Sequence, residues 1–140
     1  MNLNIYRYTK KVEQKFPLYL SQVPAGFPSP ADDYIEKSLD LNEYLINHPE
    51  STFFVRVKGD SMINAGIQNG SVLIVDRSLE AINNKIVVAI LNGEFTVKRI
   101  KKYNGSISLV PENPNYSPIE VTNNMDFEVW GVVVHVIHSV

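Results

Sequence analysis

The residue of this 140-residue chain best suited to attack a carbonyl group is Ser61, within KGDSMINAGIQNGSVLIVD, residues 58 to 76. It follows a strand-like run and lies in a turn rich in Gly, Asp and Asn. Such a turn exposes a hydroxyl and leaves backbone N–H groups free to hold an oxyanion. A polar turn or a helix cap uses the same residues, and an isolated Gly-Asp-Ser is more often one of those. A nucleophilic serine also needs a base. The three histidines do not readily supply one. His48 stands at the end of a short helical pattern. His135 and His138 are three apart on a strand, which sends them to opposite faces.

The Gly-Asp-Ser lipases take their base from an Asp-x-x-His pair, and no Asp here is followed by His at that spacing. Lysine is the alternative. Burial among apolar groups disfavours the ammonium, and the neutral amine can then accept the serine proton. GEFTVKRI places Lys98 in a strand-like segment between Val97 and Arg99. An exposed lysine guarding a strand edge gives the same pattern. Alternation leaves both open, because Phe95 and Val97 share a face with Arg99 while Lys98 shares one with Thr96 and Ile100. The run KRIKK, residues 98 to 102, has the form of a nucleic-acid patch. With Tyr103 the one aromatic beside it, a solvated strand edge is the better reading.

These residues need a scaffold, and from residue 52 onward the chain reads as strands. TFFVRV alternates, SVLIVD and KIVVAIL are β-branched runs, and LNGE joins the latter to FTVKRI. Asn92-Gly93 between two such segments is a strong hairpin signal. SISLVP and FEVWGVVVHVIHSV complete about six strands. The pattern predicts a mostly β fold, a compact, twisted, barrel-like antiparallel domain. One short helix is expected in DLNEYLINHP, with Asp40 as N-cap, Glu43 at N3 and His48-Pro49 as the stop. Leu41, Tyr44 and Leu45 would share its apolar face.

Residues 1 to 30 have too few periodic apolar positions for a core and read as a flexible arm, which leaves 31 to 140 as the β-rich domain. Inside the arm lies VPAGFPSP, residues 23 to 30, with three prolines, one glycine and no charge. Those prolines rule out a helix and disfavour a central strand. The segment reads as an exposed connector. Yet it carries Val23, Ala25 and Phe27 where a solvated linker has charge or Ser/Gly.

Composition narrows the function classes. Hydrophobic residues at 44% and charged residues at 20% suit an ordinary globular protein. The absence of cysteine excludes disulfides and thiolate chemistry and suits a reducing cytoplasm. No apolar run approaches the roughly 20 residues of a membrane span, and MNLNIYRYTKK lacks the core of a signal peptide. The net charge of −2 is uneven: Arg7, Lys10, Lys11 and Lys15 crowd the start, while Asp32, Asp33, Glu36, Asp40, Glu43 and Glu50 crowd residues 31 to 50. Neither resembles the strongly basic balance of a dedicated DNA binder.

The order VPAGFPSP, GDSMINAGIQNGSVLIVD, GEFTVKRI, PENPNYSPI, FEVWGVVVHVI resembles the LexA/UmuD-type self-cleaving serine peptidases, and most closely their UmuD-like members. The resemblance covers nearly the whole chain. It implies Ser61 as nucleophile, Lys98 as general base, a scissile bond between Ala25 and Gly26, and an oxyanion held by backbone N–H groups at Asp60 and Ser61. It further implies cleavage stimulated by the RecA–single-stranded DNA filament. The product would be a homodimeric, cytoplasmic subunit that joins a UmuC-like Y-family polymerase for translesion synthesis in the SOS response. No cofactor, metal, membrane or sequence-specific DNA contact is implied. The family's repressors carry a helix-turn-helix domain before the cleavage site, and the 25 residues here are too few for one. Signal peptidases, which use a related dyad, need a membrane anchor. The bond itself is Ala-Gly as in LexA, where the best-known UmuD has Cys-Gly. A non-catalytic binding module of the same fold is the competing class, and a β-rich small-ligand domain has little in its favour.

Overall fold

The computed structural model describes residues 4–8, 16–19, 25–28 and 35–140, with backbone alone for 16–19 and 35–37. The flexible arm expected over residues 1 to 30 therefore falls largely outside the described residues, as do Val23, Pro24, Ser29 and Pro30 of the connector. The chain divides into two compact units, Met1–Tyr8 with His48–Val140, and Thr9–Asn47.

The larger unit is one antiparallel sheet. Its strands are β1 (Asn4–Arg7), β4 (Thr52–Arg56), β5 (Val72–Asp76), β6 (Ile86–Leu91), β7 (Glu94–Tyr103), β8 (Ser106–Val110), β9 (Ile119–Val121) and β10 (Phe127–Ile137). They lie in the order β1-β4-β5-β10-β6-β7-β8-β9, so the sheet is open, with β1 and β9 at its edges. The smaller unit pairs β2 (Phe16–Tyr19) with β3 (Ile35–Leu39), also antiparallel, and adds the single helical turn α1 (Leu41–Leu45).

Local chemistry accounts for most of this. The β6–β7 turn is Asn92-Gly93, both at positive φ (50° and 81°). That is the type I′ geometry whose twist matches a hairpin, and Asn and Gly tolerate it best. Asn104-Gly105 repeats the device between β7 and β8, at 49° and 79°. Every strand expected from residue 52 onward is present, and β9 is an addition. β7 and β10 are long because each serves two neighbours. The first half of β7 pairs with β6 and the second with β8. β10 pairs first with β6 and then with β5, and its register slips at Val129/Gly131 and again at Val133/His135. Only His135 of the two C-terminal histidines lies in the strand, which ends at Ile137.

The core forms two apolar clusters. One gathers Val55, Val57, Met62, Ile67, Leu73, Val75, Val88 and Val97, the other Val87, Ala89, Ile100, Leu109 and Val132. Neighbouring residues of β6 divide between them, Val88 to the first and Val87 and Ala89 to the second. The sheet thus buries apolar side chains from both faces, and its central strands read as continuous β-branched runs.

The helix is shorter than expected. Asp40 caps it as predicted, its Oδ1 accepting from the Asn42 N–H at 2.9 Å, but the helical turn ends at Leu45. Pro49 then opens a 3-10 turn over Pro49–Ser51. Leu41 and Tyr44 are 53% and 61% exposed, so the apolar face expected of them is not a buried one. A single turn has too few residues to present a stripe.

Candidate active site

The turn after β4 is built to hold a serine in place. Gly59 takes φ +108°, a conformation closed to most side chains, and its N–H donates to Asn69 Oδ1 at 2.8 Å. Met62 follows the serine and is 1% exposed in the first core cluster, which pins the turn from below. A 3-10 turn over Ile63–Ala65 and the left-handed Gly66 then lead to the buried Ile67. Ser61 is 5% exposed between these anchors.

A second loop clamps the same turn. The Ser61 carbonyl accepts from the Glu112 N–H at 2.9 Å, and the Glu112 carbonyl accepts from the Asn64 N–H at 2.9 Å. Asn113 Nδ2 donates to the Asp60 carbonyl at 2.9 Å, and the Tyr116 hydroxyl donates to Asp60 Oδ1 at 2.6 Å. That hydrogen bond and the negative charge of Asp60 push the Tyr116 phenol above its usual value. Glu112 is itself held by Arg99 Nε at 2.5 Å. Among the described residues, no group accepts from the backbone N–H of Asp60 or Ser61.

Lys98 arrives from β7. Its Nζ lies 3.2 Å from Ser61 Oγ, 2.8 Å from Thr96 Oγ1 and 3.1 Å from the Val97 carbonyl oxygen. The side chain is 8% exposed, and among the described residues no carboxylate pairs with it. Burial pushes the ammonium below its ordinary value, since a charge loses hydration there without gaining a counterion. Lys58, Gly59, Asp60, Ser61, Thr96, Lys98 and Tyr116 line one cleft of about 140 Å³.

The structure therefore brings Ser61 and Lys98 together, 37 residues apart in sequence. Ala25 and Gly26 form an exposed bend with Phe27, which is 91% exposed. Thr96 and the loop 111 to 116 were not foreseen as parts of the site. Thr96 had a signal, for period two puts it on the same side of the strand as Lys98. Asn113 and Tyr116 lie in PENPNYSPI, one of the segments of the family resemblance, but nothing in their spacing tied them to Asp60, more than fifty residues away. The KRIKK run does not form a continuous basic surface. Lys98 is buried, Arg99 is paired with Glu112, and Lys101 bonds to Asn84 Oδ1.

His48 is exposed and lies beyond the helical turn, which ends at Leu45. Its Nδ1 lies 2.5 Å from Oδ2 of Asp76, which is 3% exposed. Burial alone would raise the Asp76 carboxyl. Hydrogen bonds from Ser78, His48 and Ser51 outweigh it and hold the group at about 2. Among the described residues, no group of three or more His, Asp or Glu side chains gathers in a way that could hold a metal.

Residues 17–134 match the protein family described as Peptidase S24-like. The chain belongs to the Peptidase S24-like family. It is 45% identical over 123 residues to Protein ImpA of Salmonella typhimurium, covering 87% of this chain and 83% of that protein. It is 43% identical over 128 residues to Protein SamA of the same species, covering 91% and 89%. With the LexA repressor of Bordetella parapertussis it shares 41% identity over 120 residues, which is 86% of this chain but 55% of the repressor. The resemblance read from the sequence is borne out, and the family is one of peptidases. Among the described residues, no helix is long and apolar enough to cross a membrane.

Proposed function

We propose that this protein is a UmuD-like serine peptidase that cuts its own chain between Ala25 and Gly26. The observation that carries this reading is the 3.2 Å approach of a buried Lys98 amine to Ser61 Oγ. Ser61 Oγ attacks the Ala25 carbonyl carbon as neutral Lys98 takes its proton. The negative oxygen that forms is met by the Asp60 and Ser61 N–H groups. When the C–N bond breaks, Lys98 returns the proton to the Gly26 nitrogen. Water, deprotonated by the same amine, then releases residues 1–25 as a carboxylate and frees Ser61. Thr96 Oγ1, 2.8 Å from Nζ, orients the amine lone pair.

No deep substrate pocket is required, because the substrate is tethered. Effective molarity replaces binding. The same tether explains control. Cleavage waits on the arm occupying the cleft, and a RecA–single-stranded DNA filament acts by favouring that state, which is a shift of population. The shortened chain, as a cytoplasmic homodimer, then serves a UmuC-like Y-family polymerase in translesion synthesis during the SOS response. Family membership and the relatives above support that role.

The test is the intact mass of the purified protein after incubation from neutral to mildly alkaline pH, with and without a RecA filament, beside Ser61→Ala. The expected result is a fragment beginning at Gly26 that forms faster as pH rises and never forms in the variant. Cleavage that survives Ser61→Ala overturns the assignment. No fragment under any condition makes the protein a binding module.

A further inference from the structure

Strand β1 is an unusual edge. It is four residues long, NIYR, and all four are exposed. It pairs with β4 in the register Asn4↔Arg56, Ile5↔Val55, Tyr6↔Phe54 and Arg7↔Phe53. Beyond it, the Tyr8 N–H donates to the Thr52 carbonyl at 3.4 Å, and the Tyr8 ring meets the Phe54 ring edge-on at 5.9 Å. Little apolar surface is buried in this contact, so the backbone ladder supplies most of it. An isolated strand of this length does not hold itself in water. What keeps it in place is the covalent chain, which supplies an effective concentration on the order of millimolar, helped by the pairing of β2 with β3 on the same stretch.

The proposed cleavage bond lies on that tether. Cutting between Ala25 and Gly26 leaves residues 4–8 on a peptide held only by the short β1–β4 and β2–β3 pairings, and once it dissociates it is diluted to the micromolar range of the protein itself. The bare edge of β4 is then a row of unpaired backbone groups beside a half-buried Phe54. We infer that self-cleavage is also an edge switch: β1 covers a strand-docking site on β4, and the cut uncovers it for an extended peptide segment of a partner protein. The ligand class is set by the strand that leaves. It is a backbone running antiparallel to β4, with an aromatic residue where Tyr8 stands over Phe54. This inference rests on the cleavage reading for its biological trigger. The edge and its cover are structural and can be tested without it.

Period two makes the test residue-specific. Thr52 faces β1 through the Tyr8 bond, so the backbone groups of Phe54 and Arg56 face it too. Ser51 and Val57 bond across to Arg77 and Ser71, which places the groups of Phe53 and Val55 toward β5. The experiment uses the full chain carrying Ser61→Ala and a recognition site for an added protease between Ala25 and Gly26. Amide hydrogen exchange is followed by NMR before and after the cut. Exchange at Phe54 and Arg56 is expected to speed up at least tenfold, with Phe53 and Val55 changing less than twofold. A synthetic peptide of residues 1–12, added at millimolar concentration, is expected to restore the protection.

Phe54 and Arg56 already unprotected in the uncut chain, or still protected after the cut, overturns the proposal. So does loss of protection at all four positions, which would be unfolding of β4. Protection that returns when the cut protein alone is concentrated assigns the edge to a second copy and overturns the partner strand. Because an added protease makes the cut, absence of self-cleavage in the mass experiment leaves this result standing, and the converse also holds.

Discussion

A buried lysine weakens a fold for as long as it keeps its proton. Burial strips Lys98 of hydration, and among the described residues no carboxylate pairs with it, so its folded ammonium releases a proton more readily than the unfolded one, whose ordinary value is 10.5. Between the two values the unfolded chain binds more protons than the folded one. Stability therefore rises with pH through that window. Lys98→Met keeps the length of the side chain and removes the charge. The variant is expected to be inactive in cleavage yet more stable than the parent by about 1 kcal/mol at neutral pH, a Tm gain of roughly 3–5 °C. The gap should narrow as pH approaches 10.5. Melting curves of both proteins from pH 7 to 10 check this; a variant that is less stable at neutral pH would show that Lys98 is structural. The sequence alone left Lys98 between a base and an edge lysine because alternation failed there. Val97 and Lys98 are neighbours and both are buried, since β7 is covered on both faces.

Elements are where most of the fold was legible. Six strands stood out as β-branched or alternating runs, and the Asn-Gly turn joined two of them correctly. The same dipeptide at residues 104 and 105 forms the next hairpin, a signal the reading of the sequence did not use. The short strands were not legible for a physical reason. NIYR, FPLY, IEKSL and IEV are three to five residues each, mix polar with apolar positions, and in one case include a proline. They are defined by the neighbour they pair with. Gly131 shows the same dependence. It sits beside the register slip of β10, and a Cβ there would lie 2.5 Å from Val75 Cγ1 and 3.2 Å from Arg77 Cγ. Backbone conformation does not require glycine at this position; the close approach of β5 does. Gly131→Ala is expected to cost about 1–3 kcal/mol through overpacking against β5, seen as a lower urea midpoint with an unchanged slope. A variant as stable as the parent would mean that β5 and β10 can part slightly without loss.

At the scale of the molecule, the last strand in sequence is the middle one in space. Among the described residues, β10 is the strand through which β1-β4-β5 on one side are hydrogen-bonded to β6-β7-β8-β9 on the other. It supplies Val132 to one core cluster, and Trp130, Val133 and Val136 pack against the other. Such a sheet cannot close until its C-terminus is in place, and folding governed by distant pairings is slow, in the millisecond-to-second range. The two ends of the chain are therefore unequal. Loss of residues 1–25 removes β1 and β2, and β1, all of whose residues are exposed, contributes nothing to the two core clusters. Loss of β10 cuts the sheet's backbone pairing in two, bares edges on β5 and β6, and strips Val132 from one cluster and Trp130, Val133 and Val136 from around the other, which spans both pieces. A chain ending at Asp126 is expected to show no cooperative thermal transition, whereas the product cut after Ala25 should melt within about 5 °C of the uncut protein. Calorimetry of the three species compares them directly, and a cooperative transition in the chain ending at Asp126 would mean that one half of the sheet folds alone. The asymmetry suits the proposed cut after Ala25. Its site residues and its central strand all lie downstream of the bond it is proposed to cut.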